Sequence, residues 1–454
     1  MSKKDFSMAD AAATNGKLLK QLGFAFAAAV GLGSMVGAGL MRTSGAVVDQ
    51  VPDPWLVISL WALGGLHILL AANVASELVT TIPKAGGIFV PVRAAFGDSM
   101  GLLVGWAMYL SVVAACAALS IVCANFLAII QPSLADHTAP VACLFLIPLI
   151  ILNWLGVREG SVAQTIGSAV KLILLCGVIG IALLADPPHP GALTAAADAS
   201  APALGVFAVI TAYQMIYGAY AGWDSAMVFV EEDENALTNI PRAMALSICA
   251  VASVYVLFNI AMLRSLDLEA IRASDLPIAL VLGNIFGPGG AAAVAVLAII
   301  LASTSLNASL MISPRVLFGL ARAGLFLPSA TRVNAGGTPH VAFAFTAALT
   351  VLLIFSGGFE FIFRLMAALI IFSFVIYDAS LFQLRRTRPD LPRPFRAIGY
   401  PVLPGLLLLI DTALLIAFIV ADPVGGIYMA ALIAICIPVG LALHRKRLNP
   451  IAIA

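Results

Sequence analysis

The chain has 454 residues, of which 62% are apolar and only 10% are charged, and its formal net charge is +1. Soluble globular domains carry about 25% charged residues, so much of this surface must face lipid rather than water. No basic block of the kind that binds nucleic acid occurs, and the six cysteines lack metal-ligand spacing. Walker-type, His-Glu-x-x-His and Gly-x-Ser-x-Gly motifs are absent, so no enzyme, cofactor or metal site is predicted.

Twelve apolar runs follow one another along the chain, and about 20 such residues are needed to cross a membrane as a helix. The runs lie at 22–47, 55–79, 99–130, 139–155, 161–185, 204–230, 243–263, 285–312, 341–356, 362–383, 401–420 and 425–443. The run at 341–356 is the shortest. This pattern predicts an all-α membrane protein with 12 transmembrane helices in one domain.

The distribution of basic residues predicts the orientation in the membrane. If the amino terminus is cytoplasmic, 19 of the 24 lysines and arginines fall in inside segments and only Arg42, Arg264 and Arg272 fall in outside segments. Because basic residues concentrate on the cytoplasmic side of membrane proteins, both termini are predicted to be inside. The expected location is the cytoplasmic, or inner, membrane.

Small residues interrupt the first and the sixth span. The stretch 31–39 contains four glycines and Ser34, and the stretch 217–224 contains Gly218 and Gly222 among aromatic residues. Such clusters weaken a helix at its middle. Glycines can also serve close helix packing, but interruptions at matching places in two halves are typical of a transporter binding site on an inverted repeat.

Unwound backbone inside a membrane needs polar partners, and a zwitterionic solute can supply them. Amides at 33–39 suit a carboxylate, whereas carbonyls at 217–221 suit an ammonium group. The predicted substrate-binding residues are Gly33, Ser34, Met35, Val36, Gly37, Ala38, Gly39, Tyr217, Gly218, Tyr220, Ala221, Gly222 and Trp223.

Motifs along nearly the whole chain resemble one family of permeases. In chain order these motifs are 33–39, Ala75-Ser76-Glu77 with Pro83-Lys84-Ala85-Gly86-Gly87, Ala95-Phe96-Gly97 with Gly105-Trp106, 153–157, Gly222-Trp223-Asp224 with Glu232 and Ile240-Pro241-Arg242, Asn307 with Arg315 and Gly337-Thr338-Pro339, and Arg393-Pro394-Phe395-Arg396 with Gly399-Tyr400-Pro401. Their order and spacing resemble the amino acid–polyamine–organocation superfamily.

This resemblance implies a LeuT-type fold, which is a 5+5 inverted repeat with broken helices 1 and 6 and two additional peripheral helices. The implied organisation is a cytoplasmic amino-terminal segment at 1–20 and a first repeat of helices 1 to 5 at 21–200. A second repeat of helices 6 to 10 follows at 201–385, and helices 11 and 12 with the cytoplasmic carboxyl terminus occupy 386–454.

Lys171 lies midway along the fifth span, where a charge is costly and is a functional candidate by default. The resemblance implies that its amine takes the place of a sodium ion. It would bridge the first-span break to the eighth span at Ser303 and Thr304, with proton coupling left open. The alternative is a lysine that snorkels to the membrane interface.

Four further polar residues have weaker predictions. Asp224 follows the sixth-span break and either lines the cytoplasmic pathway or caps the next half-helix. Glu77 and Glu232 are predicted to brace cytoplasmic loops through amides or through pairs with arginine or lysine. His67 is a lone histidine in the second span and is interpreted as structural.

The sequence therefore predicts a sodium-independent secondary active transporter, a permease or exchanger, of neutral amino acids that works by alternating access. Gly218 stands where arginine-type exchangers of the superfamily place a large aromatic residue, which leaves room for a bulkier neutral side chain. The expected partners are a small zwitterionic solute and the lipid bilayer, while protons and a homodimer are open options. The alternatives are a permease for polyamines or organic amines and an amino acid sensor that does not transport.

Overall fold

The computed structural model describes residues 18–37, 39–185, 191–195, 205–274, 277–357 and 359–448. Within these ranges the regular structure is helical, apart from one isolated bridge between Leu22 and Asp233. The prediction of an all-α protein is therefore confirmed.

Eight helices make up the first part of the chain. They are α1 (Phe24–Met35), α2 (Gly39–Gln50), α3 (Pro54–Thr81), α4 (Phe89–Phe96), α5 (Asp98–Ile130), α6 (Thr138–Leu155), α7 (Val157–Leu184) and the single turn α8 (Ala192–Ala195). The start of α3 shows why helices begin where they do. Asp53 caps it by accepting hydrogen bonds from the amides of Trp55 and Leu56, and Pro54 occupies the first helical position.

Nine helices follow in the second part. They are α9 (Val206–Ala219), α10 (Ala236–Ser265), α11 (Leu268–Arg272), α12 (Pro277–Phe286), α13 (Gly290–Arg322), α14 (His340–Ser356), α15 (Phe359–Thr387), α16 (Val402–Ala421) and α17 (Pro423–Leu448). Short 3₁₀ turns at Ser225–Phe229 and Pro328–Thr331 connect some of them.

Eight helices in the described ranges are long and apolar enough to cross a membrane, namely α3, α5, α6 with its preceding turn, α7, α10, α13, α15 and α16. Four shorter apolar helices, α1, α9, α14 and the first part of α17, lie within predicted spans 1, 6, 9 and 12. Large apolar side chains point outwards, including Ile173, Leu144 and Leu409, each more than 60% exposed. These features confirm a membrane protein, while the count of 12 spans stays a prediction.

The helices of the first and sixth predicted spans are interrupted in the structure. After Met35 the chain leaves the helix, and α2 begins at Gly39. After Ala219 it passes through turns and the 3₁₀ segment Ser225–Phe229 before α10 begins at Ala236. Below, the first break denotes residues 36–38, of which Ala38 lies outside the described residues, and the second break denotes residues 220–235.

Packing brings the two breaks to the centre of the bundle. Helix α1 lies against α7, α10 and α13, and α2 lies against α9. Helix α16, expected to be peripheral, exposes Leu406 and Ile416 on one face but packs its other face on α3, α9 and α15. It thereby brings one buried carboxylate, Asp411, into the interior.

Candidate functional site

The second break touches the end of α1 at Gly222. This glycine has a φ of +94°, which side-chain-bearing residues rarely adopt, and a Cβ atom placed on it would lie 2.8 Å from Ser34 Cβ. Only glycine allows the second break to approach the end of α1 so closely. The residues that the sequence assigns to two distant stretches therefore meet in space.

Tyr255 of α10 holds the two breaks together from one side. Its hydroxyl oxygen lies 2.8 Å from the carbonyl of Met35 and 3.0 Å from the carbonyl of Ala219, the last residues of α1 and α9. Both carbonyls belong to helix ends, where no amide of the same helix is available to them. One buried hydroxyl thus serves both interrupted helices, although the sequence alone did not single it out.

Lys171 of α7 lies against the first break and is fully buried. Its Nζ donates to the carbonyl of Gly33 (2.9 Å), to the carbonyl of Val36, and to Ser305 Oγ (3.0 Å). An ammonium group has three donors, and here each of them meets an acceptor. The amine therefore lies at the carbonyl end of α1, where the helix dipole is negative.

The eighth-span hydroxyl beside Lys171 is that of Ser305 rather than those of Ser303 or Thr304. Ser305 Oγ also lies 2.9 Å from the carbonyl of Gly33. Ser303 Oγ instead lies 3.5 Å from Cys123 Sγ, and Thr304 donates to the carbonyl of Ile300 within its own helix. Each step along a helix rotates the side chain by about 100°, so a shift of one residue changes the neighbour.

A chain of buried polar side chains extends the Lys171 site along α7. Gln164 donates to Ser168 Oγ (3.1 Å), and Ser168 donates to the carbonyl of Ala29 in α1 (2.7 Å). Asn307 of α13 donates to Gln164 Oε1 (2.9 Å). Positions 164, 168 and 171 share one helix face, and this spacing is the signal by which the sequence could have revealed them.

The helix ends on either side of the first break carry polar groups, one of which has no protein partner among the described residues. Ser34 Oγ is buried and has no hydrogen-bond partner among the described residues. The first-turn amides of α2, which begins at Gly39, have no acceptor within that helix, and the amide of Leu40 reaches back to the carbonyl of Gly37 (3.4 Å). The Gly37 amide donates to the carbonyl of Met35 (2.9 Å), and the Val36 side chain is buried. Hydroxyl and amide groups of this kind suit a carboxylate.

The predicted residues of the second stretch have different surroundings, and the first two of them belong to the last turn of α9 rather than to the second break. Tyr217 is half-buried, and Gly218 and Ala221 are exposed. Tyr220 is fully buried and donates to the carbonyl of Trp61 (3.0 Å).

Trp223 is 2% exposed and packs its ring 5.7 Å from that of Phe374. Asp224 follows it, 8% exposed, and immediately precedes the 3₁₀ turn. A role of Tyr220 or Trp223 in contacting substrate, and of Asp224 in the pathway, stays a prediction.

Two arginine–glutamate ion pairs join segments that lie next to the site. Arg315 of α13 meets Glu232 through two nitrogen atoms at 2.5 and 2.9 Å, and both side chains are buried. Arg385 of α15 meets Glu77 in the same way at 2.8 and 2.5 Å. The prediction that both glutamates pair with basic residues is confirmed. The carbonyl of Glu232 also accepts from the amide of Leu22 (2.9 Å), which ties the chain before α1 to the second break.

Comparison with known proteins places this architecture in a family. The amino acid permease family model matches residues 22–442. The branched-chain amino acid permease of Bacillus subtilis is 26% identical over 88% of this chain and 88% of its own length. The serine/threonine exchanger of the same organism is 26% identical over 86% of this chain and 89% of its own.

A mammalian relative shows the same extent of similarity. The large neutral amino acids transporter small subunit 2 of Oryctolagus cuniculus is 27% identical over 93% of this chain and 80% of its own length. Because the family model spans almost the whole chain, including both breaks and Lys171, the chain belongs to the amino acid permease family.

Proposed function

We propose that this chain is a sodium-independent permease or exchanger of neutral amino acids that works by alternating access. The observation that carries the proposal is the contact of the two breaks at Ser34 and Gly222 beside the buried amine of Lys171. A zwitterion between the breaks would present its carboxylate to the free groups of the first break. Its ammonium group would face carbonyls of the second break. Only a solute with both charges satisfies both ends.

Sodium independence follows from Lys171. A bound sodium ion would coordinate oxygen atoms, and the carbonyls of Gly33 and Val36 with Ser305 Oγ are such a set. The lysine amine already occupies the centre of this set as a covalently attached cation. The lysine amine therefore balances the partial negative charge at the carbonyl end of α1, and no ion from solution is needed there.

The preference for a neutral side chain rests on the space at Gly218. A Cβ atom placed on this glycine would meet no atom within 4 Å, and the residue is exposed. The relatives named above are described as acting on branched-chain amino acids, on serine and threonine, and on large neutral amino acids. A neutral amino acid is the substrate class most consistent with these names and with that space.

The remaining architecture is proposed with the function. We infer 12 spans as two repeats of five, at 21–200 and 201–385, followed by two further helices, with both termini in the cytoplasm. The eight long helices, the four shorter apolar ones and the two interruptions support this arrangement. Dimer contacts through the last two helices remain a proposal of the same kind.

The test is a screen of the twenty amino acids in sodium-free buffer. Thermal shift of the purified protein should identify neutral amino acids as ligands, and counterflow in proteoliposomes should show that they are transported. Binding without counterflow would indicate a sensor. Equal competition by leucine and by leucine methyl ester would indicate an amine carrier, because such a carrier does not use the carboxylate. A strict requirement for sodium would contradict the role of Lys171.

A further inference from the structure

Three buried ionisable side chains that the proposed transport site does not use lie close together in the interior. They are His67, Asp411 and Asp378. His67 lies at the middle of α3 and Asp411 at the middle of α16, with Nε2 and Oδ1 2.8 Å apart. Asp378 lies on α15, which packs on α16, and its buried carboxyl group is close to that of Asp411. All three are at most 4% exposed. His67 stands alone in the sequence of its span, but in the structure α16 and α9 supply partners for it, Asp411 and Tyr213.

The His67–Asp411–Asp378 cluster is joined to the helix that ends in the second break. His67 Nδ1 lies 2.9 Å from the hydroxyl of Tyr213 in α9, and the two rings are stacked. Tyr217, one turn further along α9, has its ring 5.4 Å from that of His67. Helices α3, α9, α15 and α16 pack on one another around this point. A change in the cluster would therefore reach the second break through α9.

The contacts of the two carboxylates require a proton. Two buried carboxylates that lie close together without a cationic side chain cannot both be charged at ordinary cost, so the pair favours binding a proton. Asp378 Oδ2 is buried and has no donor among the described residues. Neither carboxylate forms an ion pair with a lysine or arginine in the ranges that the structure describes. A bound proton is therefore the partner that these two carboxylates lack.

His67 keeps both of its contacts whether or not it is protonated. In the neutral ring one nitrogen donates and the other accepts, and the hydroxyl of Tyr213 can do either. In the protonated ring the positive charge lies beside Asp411, with Nε2 2.8 Å from Oδ1, and Nδ1 donates to the oxygen of Tyr213. The other titratable groups that face the cluster are Tyr217, Tyr377 and, beyond them, Asp224. None of these supplies a positive charge.

We propose that the His67–Asp411–Asp378 cluster is the proton-binding site that couples proton entry to amino acid transport. The proposal rests on the transport function proposed above. One proton is taken up from one aqueous side and released to the other, and no covalent bond other than that of the proton changes. Loss of the proton leaves two charged carboxylates in contact, which repel and loosen the packing of α15 and α16 against α3 and α9. Since α9 leads into the second break, protonation and the state of the substrate site are linked.

The first experiment measures accumulation in proteoliposomes loaded with a buffer one pH unit more alkaline than the medium. Valinomycin and equal potassium on both sides hold the membrane potential at zero. Wild-type protein should accumulate radiolabelled leucine or serine up to about tenfold, because one pH unit is a tenfold ratio of proton activity. Asp378→Asn and Asp411→Asn should reach only equal concentrations, while counterflow at equal pH continues. Asp136→Asn, an exposed aspartate, is the matched control and should behave as wild type.

The second experiment needs no transport. Infrared spectra of the purified protein in D₂O should contain the carbonyl band of a protonated carboxylic acid. This band should shrink in Asp378→Asn and in Asp411→Asn but not in Asp136→Asn. Because the spectrum is independent of leucine and serine, it separates failure of the cluster from failure of the proposed substrate class.

Three outcomes would overturn the proposal. One is wild-type exchange with no accumulation under the pH gradient. Another is accumulation that persists in both asparagine variants or that follows a sodium gradient instead. The third is an infrared band that is unchanged in both variants. If neither amino acid is transported but the band disappears as expected, the proton site stands and the proposed substrate class is wrong.

Discussion

Lys171 and the His67–Asp411–Asp378 cluster are both buried ionisable sites in apolar surroundings, but their hydrogen bonding differs. Lys171 has three donors and three acceptors around them. In the cluster, one oxygen of Asp378 has no donor among the described residues. Loss of the Lys171 amine would leave buried acceptors unsatisfied, so we propose that this site serves as a fixed cation. A site with an unpartnered carboxylate oxygen can bind an exchangeable proton. Under the proposals made above, Lys171 is a fixed cation and the cluster is the group that takes part in coupling.

The largest effect is expected for Lys171→Met. Methionine fills similar space but leaves the carbonyls of Gly33 and Val36 without the amine, and burying such unpaired groups costs about 2–4 kcal/mol in total. Sodium-free counterflow should fall at least about tenfold, since 1.4 kcal/mol is one factor of ten. Thermal unfolding and counterflow measure the two effects, with the exposed Lys20→Met as control. Normal sodium-free transport by Lys171→Met would refute the fixed cation.

The next largest effect is expected for Tyr255→Phe. The lost hydroxyl serves the carbonyls of Met35 and Ala219, so the free energy of unfolding should decrease by about 1–2 kcal/mol. Tyr220→Phe is the matched comparison, because its hydroxyl serves only the carbonyl of Trp61. Counterflow should fall more in Tyr255→Phe than in Tyr220→Phe. An equal or reversed order would show that the link between the breaks does not matter for transport.

A smaller effect is expected for Ser305→Ala, which removes one of the three acceptors of Lys171. The loss should be about 1 kcal/mol and counterflow should decrease several-fold. Ser303→Ala is a control on the same helix, because Ser303 Oγ lies near Cys123 Sγ instead. Comparison of the thermal unfolding of both variants shows which of the two serines accepts the hydrogen bond from Lys171. A larger loss in Ser303→Ala would restore the residue that the sequence predicted.

The smallest effect on stability is expected for Asp378→Asn. The asparagine amide supplies permanently the donor that a protonated aspartate supplies, so stability should change by less than about 1 kcal/mol. Glu232→Gln should lose about 3 kcal/mol, because it breaks a buried ion pair and leaves Arg315 unpaired. Thermal unfolding at neutral pH compares the two. If Asp378→Asn lost as much as Glu232→Gln, Asp378 would be a charged structural residue and the contrast with Lys171 would disappear.

The fold class and the centre of the site were predictable because their signals are local. An apolar surplus predicts lipid contact wherever the helices pack, and the glycines at 33–39 and 218–222 weaken a helix in any surroundings. Lys171 was recognised because apolar residues flank it on both sides. The same helix face carries Gln164 and Ser168, which a search for polar positions at helical spacing would also have found.

The partners of these residues were less predictable. Ser303, Thr304 and Ser305 are consecutive hydroxyls on one helix, and only the rotation of α13 against α7 determines which of them meets Lys171. His67 is interpreted from the sequence as structural because it is a lone histidine in its span. Its hydrogen-bond partner Tyr213 lies 146 positions away, and nothing local connects them.

The amino-acid sequence by itself determined that this protein is a helical membrane protein, that two of its spans are interrupted, and that one lysine lies at membrane depth. These properties follow from composition and from the backbone preferences of short segments. Tertiary structure alone decided which hydroxyls and carboxylates meet. The reason is that a hydrogen bond depends on the distance and angle between helices far apart in the chain, and packing sets both.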